Sequence, residues 1–280
     1  MNGLLMTCWM VGLVALYAWL LVQALRTRGL RRFSLRDDPF IVLLTCRAVW
    51  PRVQPLLHKQ RISLSILNGG TCSQEKLVSW VAEAIGLSYL VLLGTGLLAA
   101  GSGNLALLFM GGIVAGCIPM LRAKELSGKV KKRQQAIVME LPELLSKLLL
   151  MVNAGENVMK ALARTVEQKR DSHNPLYAEM NAAIEGMKRG ESLSTALEEL
   201  GRRCAVPEVK LFATTLLINA RRGGDAFVPA LRELTRQMWD KRKAIARTLG
   251  EQASSRLAFP LTIVFLLIMV LVGAPTIFMM

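Results

Sequence analysis

Histidine is almost missing from this 280-residue chain, which has only His58 and His173, far apart in sequence. Imidazole chemistry and histidine-rich metal sites need such residues gathered together, so neither is expected. Aromatic residues make up 6% of the chain, too few to form a stacking platform for bases. The five cysteines, at 8, 46, 72, 117 and 204, contain no C-x-x-C pair and no ligand spacing, and are read as reduced structural residues. The sequence also lacks GxxxxGK[ST] for nucleotide phosphates, HExxH for zinc and a GxSxG nucleophile elbow. Asp37-Asp38 ahead of Pro39 is read as a turn or cap. The expectation is a protein with no catalytic residue, no metal and no cofactor, hence not an enzyme.

Charge is absent from three stretches. Residues 1–25, 84–121 and 257–280 hold no Asp, Glu, Lys or Arg, so all 35 basic and 20 acidic residues lie in 26–83 and 122–256. An ionised side chain at the centre of a bilayer costs about 2.5–3.5 kcal/mol on the mildest insertion scale. That penalty, a mean hydropathy of +0.38 and a hydrophobic content of 52% point to a membrane protein. About 20 apolar residues suffice for one crossing. LLMTCWMVGLVALYAWLLVQAL makes the first, and GSGN at 101–104 splits 85–121 into a hairpin of two. RLAFPLTIVFLLIMVLVGAPTIFMM makes the fourth. With no charge inside any span, an ion or proton pathway lacks its usual groups. Basic residues follow the first span instead of preceding it, so 1–25 is expected to be a retained span and not a cleaved leader.

Arg26, Arg28, Arg31, Arg32 and Arg36 after the first span, and Arg122, Lys124, Lys129, Lys131, Lys132 and Arg133 after the third, set the orientation. Basic flanks stay on the cytoplasmic side, which places both charged blocks inside. Positive flanks and contact with anionic lipid account for much of the basic excess, and no nucleic-acid partner is expected. The division expected is therefore a transmembrane helix over 1–25, a basic cytoplasmic or interfacial segment over 26–84, a transmembrane hairpin over 85–121, a cytoplasmic helical bundle over 122–256 and a transmembrane helix over 257–280. Segment 26–84 suits either the lipid headgroup layer or a short packed helical subdomain. Gly112 and Gly116 form a GxxxG pair in the third span, a spacing that lets membrane helices approach closely, within or between subunits.

The long block repeats a junction. GENVMKAL at 155–162, GESLSTAL at 190–197 and GGDAFVPAL at 223–231 each place a glycine two residues before Asn157, Ser192 or Asp225. Glycine can close a helix in the left-handed conformation, and Asn, Ser and Asp can cap the next one. Each is read as a stop followed by a start, with Gly155, Asn157, Gly190, Ser192, Gly223 and Asp225 as structural caps. Helices are expected over about 131–154, 158–168, 176–188, 193–203, 207–221 and from 225 toward the membrane, with Pro142 kinking the first or marking its first turn. Apolar faces are read at Leu141, Leu144, Leu145, Leu148 and Leu149, and at Leu211, Thr214, Thr215 and Ile218. Short connections make neighbours antiparallel. The fold class is all-α: about four transmembrane helices with a cytoplasmic bundle of about six antiparallel helices. The interval of about 34 residues suggests a tetratricopeptide array, but that unit's Trp, Gly-Tyr and Ala-Phe positions are missing.

ELPELLSKLLLMVNAGENVMKAL, MKRGESLSTALEELGRRC and LFATTLLINARRGGDAFVPALRELTRQMWDKRKAIARTLGEQAS, in that order and leading into a final span, resemble the F-type inner-membrane platform proteins of type II secretion and type IV pilus systems. A single copy of the domain after three spans is similar to the Tad (Flp, type IVb pilus) members TadC and TadB. The resemblance implies a non-catalytic platform protein of the bacterial cytoplasmic (inner) membrane, multi-pass with its main domain cytoplasmic, that couples a hexameric secretion ATPase to pilin extraction and polymerisation. It implies as partners that ATPase, a paralogous platform protein, pilin subunits and the bilayer, in an oligomer. The candidate ATPase contact is the basic junction surface of Lys188, Arg189, Arg221 and Arg222. The competing reading is a membrane-anchored helical adaptor or sensor outside secretion.

Overall fold

The computed structural model describes residues 11–15, 17–23, 26, 38–45, 54–55, 57–102, 105–222 and 224–278. Residues 103–104 of the GSGN tip, Gly223, Trp50 and the first ten residues lie outside that set. Among the described residues there is no strand, and ten helices follow one another: α1 Val11–Gln23, α2 Asp38–Thr45, α3 His58–Leu67, α4 Gln74–Ser102, α5 Leu105–Asn153, α6 Val158–Glu167, α7 Pro175–Lys188, α8 Leu193–Cys204, α9 Pro207–Arg222 and α10 Gly224–Phe278. α4, α5 and α10 are long and apolar enough to cross a membrane, whereas α1 is shorter over its described length.

The chain divides into two compact units, Met1–Gln135 with Arg202–Ala205, and Ala136–Gly201 with Val206–Met280. In the first, Phe40, Ile41 and Leu44 of α2 pack with Val78, Val81 and Ala82 of α4, and Tyr17, Trp80 and Tyr89 lie against them. Tyr17 and Tyr89 stack with ring centres 5.7 Å apart. Arg133 donates to the carbonyls of Ile66 and Leu67 at 2.7 and 3.0 Å, so a cation meets the negative end of α3. Between α4 and α5, Gly111 faces Thr95 so closely that an added Cβ would collide with the Thr95 hydroxyl, whereas Cβ atoms at Gly112 and Gly116 would meet open space. Within the chain it is Gly111, with buried Ala115 and Ile118 on the same face, that brings the helices together. Arg122 pairs with Glu83 at 3.0 Å, one residue beyond each end of the uncharged 84–121 stretch.

The second unit is the helical bundle. Leu141, Leu144, Leu145 and Leu148 are fully buried, as their three-and-four spacing requires; burying each contributes about 1.5–3 kcal/mol. Ala161, Leu162 and Val166 of α6, Leu176, Tyr177 and Met180 of α7, Ala196, Leu197 and Leu200 of α8, Val209, Phe212 and Leu216 of α9, and Phe227, Leu231, Leu234 and Met238 of α10 are buried with them. The face of α9 differs from the one read in sequence. Leu211 and Ile218 are 48% and 47% exposed and Thr214 is exposed, while Val209, Phe212, Ala213 and Leu216 point inward. Both sets have helical spacing, and the larger Phe212 takes the interior because its burial gains more. α5 continues through Pro142 without a new first turn, so that proline sits inside a helix and leaves one carbonyl without its usual donor.

Candidate functional site

The repeated junctions build the polar end of the bundle. At the close of α5, Gly155 has φ 87°, its amide bonds the Val152 carbonyl at 3.0 Å, and the Glu156 amide bonds the Met151 carbonyl at 3.1 Å. At the close of α7, Gly190 has φ 97°, with Gly190 bonded to Met187 at 3.0 Å and Glu191 to Gly186 at 3.1 Å. Both are Schellman closures, which need a residue tolerant of the left-handed region. The next helices then open on side-chain caps. Asn157 Oδ1 accepts from the Met159 amide at 3.0 Å, and Ser192 Oγ accepts from the Thr195 amide at 3.2 Å. The third junction has another form. α9 ends at Arg222 and α10 already begins at Gly224, so Asp225 falls inside the first turn, where an acidic residue suits the positive end of the helix. Gly223 lies outside the described residues.

The cations read as a contact surface are placed at these ends. Lys188 closes α7 and pairs with Glu185 at 3.1 Å, and Arg189 pairs with Glu191 at 3.5 Å. Both pairs are well exposed, and such pairs contribute about 0–1 kcal/mol, leaving the cations available to a partner. Arg221 and Arg222 are the last two residues of α9.

A polar network at the α6–α7 connection is not signalled by the sequence. Tyr177, buried on α7, donates its hydroxyl to Glu140 Oε1 at 3.2 Å. Lys169 reaches Glu140 at 3.4 Å and Glu143 at 3.1 Å, and its ammonium lies 5.9 Å from the Tyr177 ring centre. Lys147 adds a second bond to Glu143 at 3.1 Å. Burial, then the Glu140 carboxylate, pushes the Tyr177 phenol well above its ordinary range. Hydrogen bonds from Lys169 and then Lys147 hold Glu143 below the usual carboxylate value, and Lys169 is raised in turn, chiefly by Glu143.

The root of α10 is the other feature that sequence reading misses. Among its residues up to 271, Met238 is the last that is buried. Trp239 Nε1 then donates to Ser146 Oγ at 3.0 Å, and that hydroxyl donates to the Pro142 carbonyl at 2.8 Å. Lys241 pairs with Glu208, a carboxylate buried in the first turn of α9. Arg242 lies over the Trp239 ring, 5.1 Å from its centre. Beyond this collar every residue from 246 to 271 is exposed, including Leu257, Phe259, Phe265 and Leu271. A continuous apolar surface of this kind requires lipid or protein around it. Partners so far apart in sequence leave no local pattern, although Glu208 just after Pro207 is recognisable as a first-turn acid.

No group of three or more His, Cys, Asp and Glu that could hold a metal occurs among the described residues. The features that the fold does assemble are mechanical and electrostatic: capped helix ends, a half-buried ionic network and one helix running from a packed root into an apolar span. They define an all-helical membrane protein with a bundle rooted on its last span. Residues 144–275 match the family model for Type II secretion system (T2SS), protein F, a match that supports the type II secretion F family for this part of the chain. The matched segment takes in the bundle from the last ten residues of α5 and extends through the collar into the apolar run of α10. No curated protein and no solved structure matches the chain.

Proposed function

We propose that the chain is a non-catalytic platform protein of a type II secretion or type IV, Tad-like, pilus machine in the bacterial inner membrane. In this reading a cytoplasmic hexameric ATPase engages the bundle, and the bundle passes the motor's movement to pilin subunits leaving the bilayer. The observation that carries the reading is α10, whose 55 residues form one helix from the buried Phe227 to the exposed apolar run that the family match also covers. A helix of that length spans about 80 Å and transmits a push or a rotation where an unstructured linker would absorb it. A paralogous platform subunit and further copies of this chain fit the same role, with Gly112 and Gly116 free to meet a neighbouring span. The basic ends at Lys188, Arg189, Arg221 and Arg222 are the proposed ATPase contact, complementary to an acidic motor face.

The test is co-purification of the full-length protein in lipid nanodiscs with the secretion ATPase of its own host, comparing the native chain with Arg221→Glu and Arg222→Glu combined. Complex formation by the native chain, and its loss in a double variant that keeps its helical circular dichroism, is the expected outcome. Undiminished binding by the folded double variant eliminates these residues as the contact. Failure of the native chain to bind removes the ATPase from the proposal.

A further inference from the structure

Between Asp38 and Arg47 the chain has eight uncharged residues, PFIVLLTC, seven of which lie in α2. A crossing needs about 20 residues, so α2 is too short to traverse a bilayer. Its contacts nevertheless reach far along α4. Phe40, Ile41 and Leu44 share one cluster with Val78, Val81 and Ala82, and the Phe40 ring centre is 5.5 Å from that of Tyr89 and 6.5 Å from that of Tyr17 on α1. The depth of these partners follows from the hairpin. Counted back from Gly101, about 30 Å of hydrocarbon at about 1.5 Å per residue ends near Val81. The nearest charges, Glu83 and Arg122, neutralise each other at that edge, 3.0 Å apart. Tyr89 is then about 12 Å inside it. A phenol at such a depth has no water to bond and needs a protein acceptor. The Tyr89 hydroxyl has one, donating to the Leu13 carbonyl of α1 at 2.5 Å.

We infer that α2 is a re-entrant helix, held by α1 and α4 in the acyl-chain layer at the edge opposite the GSGN tip, with Val42 and Leu43 against lipid. The rings it packs on lie on stretches of α1 and α4 that hold no charge, so the surface it extends is already the one that faces hydrocarbon. From Pro39 to Leu44 every residue is apolar, which is more than a full turn, and a helix apolar on all sides has no face suited to water. The protein covers Pro39, Phe40, Ile41 and Leu44 but leaves Val42 and Leu43 half-buried. A short helix tolerates this position because its backbone bonds are largely internal, and Pro39 in its first turn has no N–H to leave unmet. Entry and exit on one side also keep Asp38 and Arg47, the charges that bracket the segment, within reach of the headgroups. The inference rests on α4 crossing the bilayer and not on the platform reading.

The experiment places a diazirine-bearing leucine analogue at one position at a time in the full chain, reconstitutes the protein in phosphatidylcholine nanodiscs, irradiates it and locates the adducts by mass spectrometry. Leu43 is the test site. Leu97, 68% exposed on the apolar stretch of α4, is the lipid reference, and Leu211, 48% exposed on α9 of the bundle, is the reference for an exposed leucine outside the apolar helices. A carbene in water is consumed by solvent, whereas one in the bilayer core meets acyl chains. Lipid adducts at 43 should therefore match those at 97 and exceed those at 211 by about tenfold or more, with fragmentation placing them on the acyl chain. Val42 is the second site, used if the derivative at 43 loses its helical circular dichroism. A yield at 43 no higher than at 211 overturns the inference, and so do adducts confined to the headgroup, which would put α2 in the polar layer. Capture of a protein segment in place of lipid overturns it in favour of a protein cover. Absence of lipid adducts at both 43 and 97 overturns it together with the crossing by α4.

Discussion

Lys169 holds two carboxylates at once, and the arrangement makes the bundle sensitive to pH in a defined direction. Glu143 is held below its ordinary value by Lys169 and then Lys147, so its contribution is fully present above the unfolded carboxylate value of about 4.3 and is lost as pH falls through the lower, folded one. Lys169 is raised, chiefly by Glu143, so its contribution is present below about 10.4 and is lost only as pH rises past that. The ionic network is therefore complete from weakly acid to weakly alkaline pH. Replacing Lys169 with Met should lower Tm at pH 7 and flatten the fall of Tm below pH 5, because Glu143 then titrates closer to its unfolded value. Melting of the full chain in detergent, followed by circular dichroism at a series of pH values, checks both; a native acid limb in the variant would assign the pH dependence to other carboxylates. Lys241→Met tests the collar in the same assay. It leaves the buried Glu208 without its cation, and a loss of about 1–3 kcal/mol is expected, whereas Glu208 and Lys241 replaced together by Gln and Met should lose less.

Helices in this protein are defined at their ends more than along their length. Gly155 is at φ 87° with nothing near its Cβ position, so Gly155→Ala meets only the left-handed backbone penalty of about 1–2 kcal/mol, and Asn157→Ala should cost about 1 kcal/mol through its lost cap. Each kcal/mol corresponds to roughly 2–4 °C in Tm for a unit of this size. In the hairpin the contrast is steric: Gly111→Ala collides with Thr95 and should weaken the packing of α4 on α5, while Gly112→Ala meets open space within the chain. An alanine at 112 that leaves the monomer unchanged but lowers the oligomer fraction in crosslinking would locate that face between subunits. These end signals are why much of the bundle was legible beforehand: glycine followed by Asn or Ser marks the α5–α6 and α7–α8 junctions to within a residue or two, and the charge gaps mark the long apolar helices. What was not legible depends on neighbours distant in sequence. Leu211, Thr214 and Ile218 have the same helical period as Val209, Phe212 and Leu216, and only the packing of α9 on α10 decides between them. Gly111 and Gly112 are equally plausible as spacers until Thr95 is placed, and nothing local announces the Glu208–Lys241 or Trp239–Ser146 pairs.

At the scale of the whole molecule, the proposed role depends on stiffness between the collar and the bilayer. α10 leaves the bundle at Trp239 and Lys241 and carries no buried residue from 246 to 271, so nothing else in its own unit braces that length. Bending resistance over that length must come from the helix's own backbone hydrogen bonds. A seven-residue Gly-Ser insertion between Arg247 and Thr248 interrupts those bonds at a site where no side chain is packed. It should leave Tm of the bundle, membrane insertion and ATPase co-purification at native levels while abolishing pilus assembly or secretion. A seven-residue helical insertion at the same place, rich in Ala, Glu and Lys, adds two turns and rotates the span by only about 20°, so it should retain substantially more activity. Equal function in the two insertions would mean that force does not travel along α10, because they match in length and differ only in rigidity.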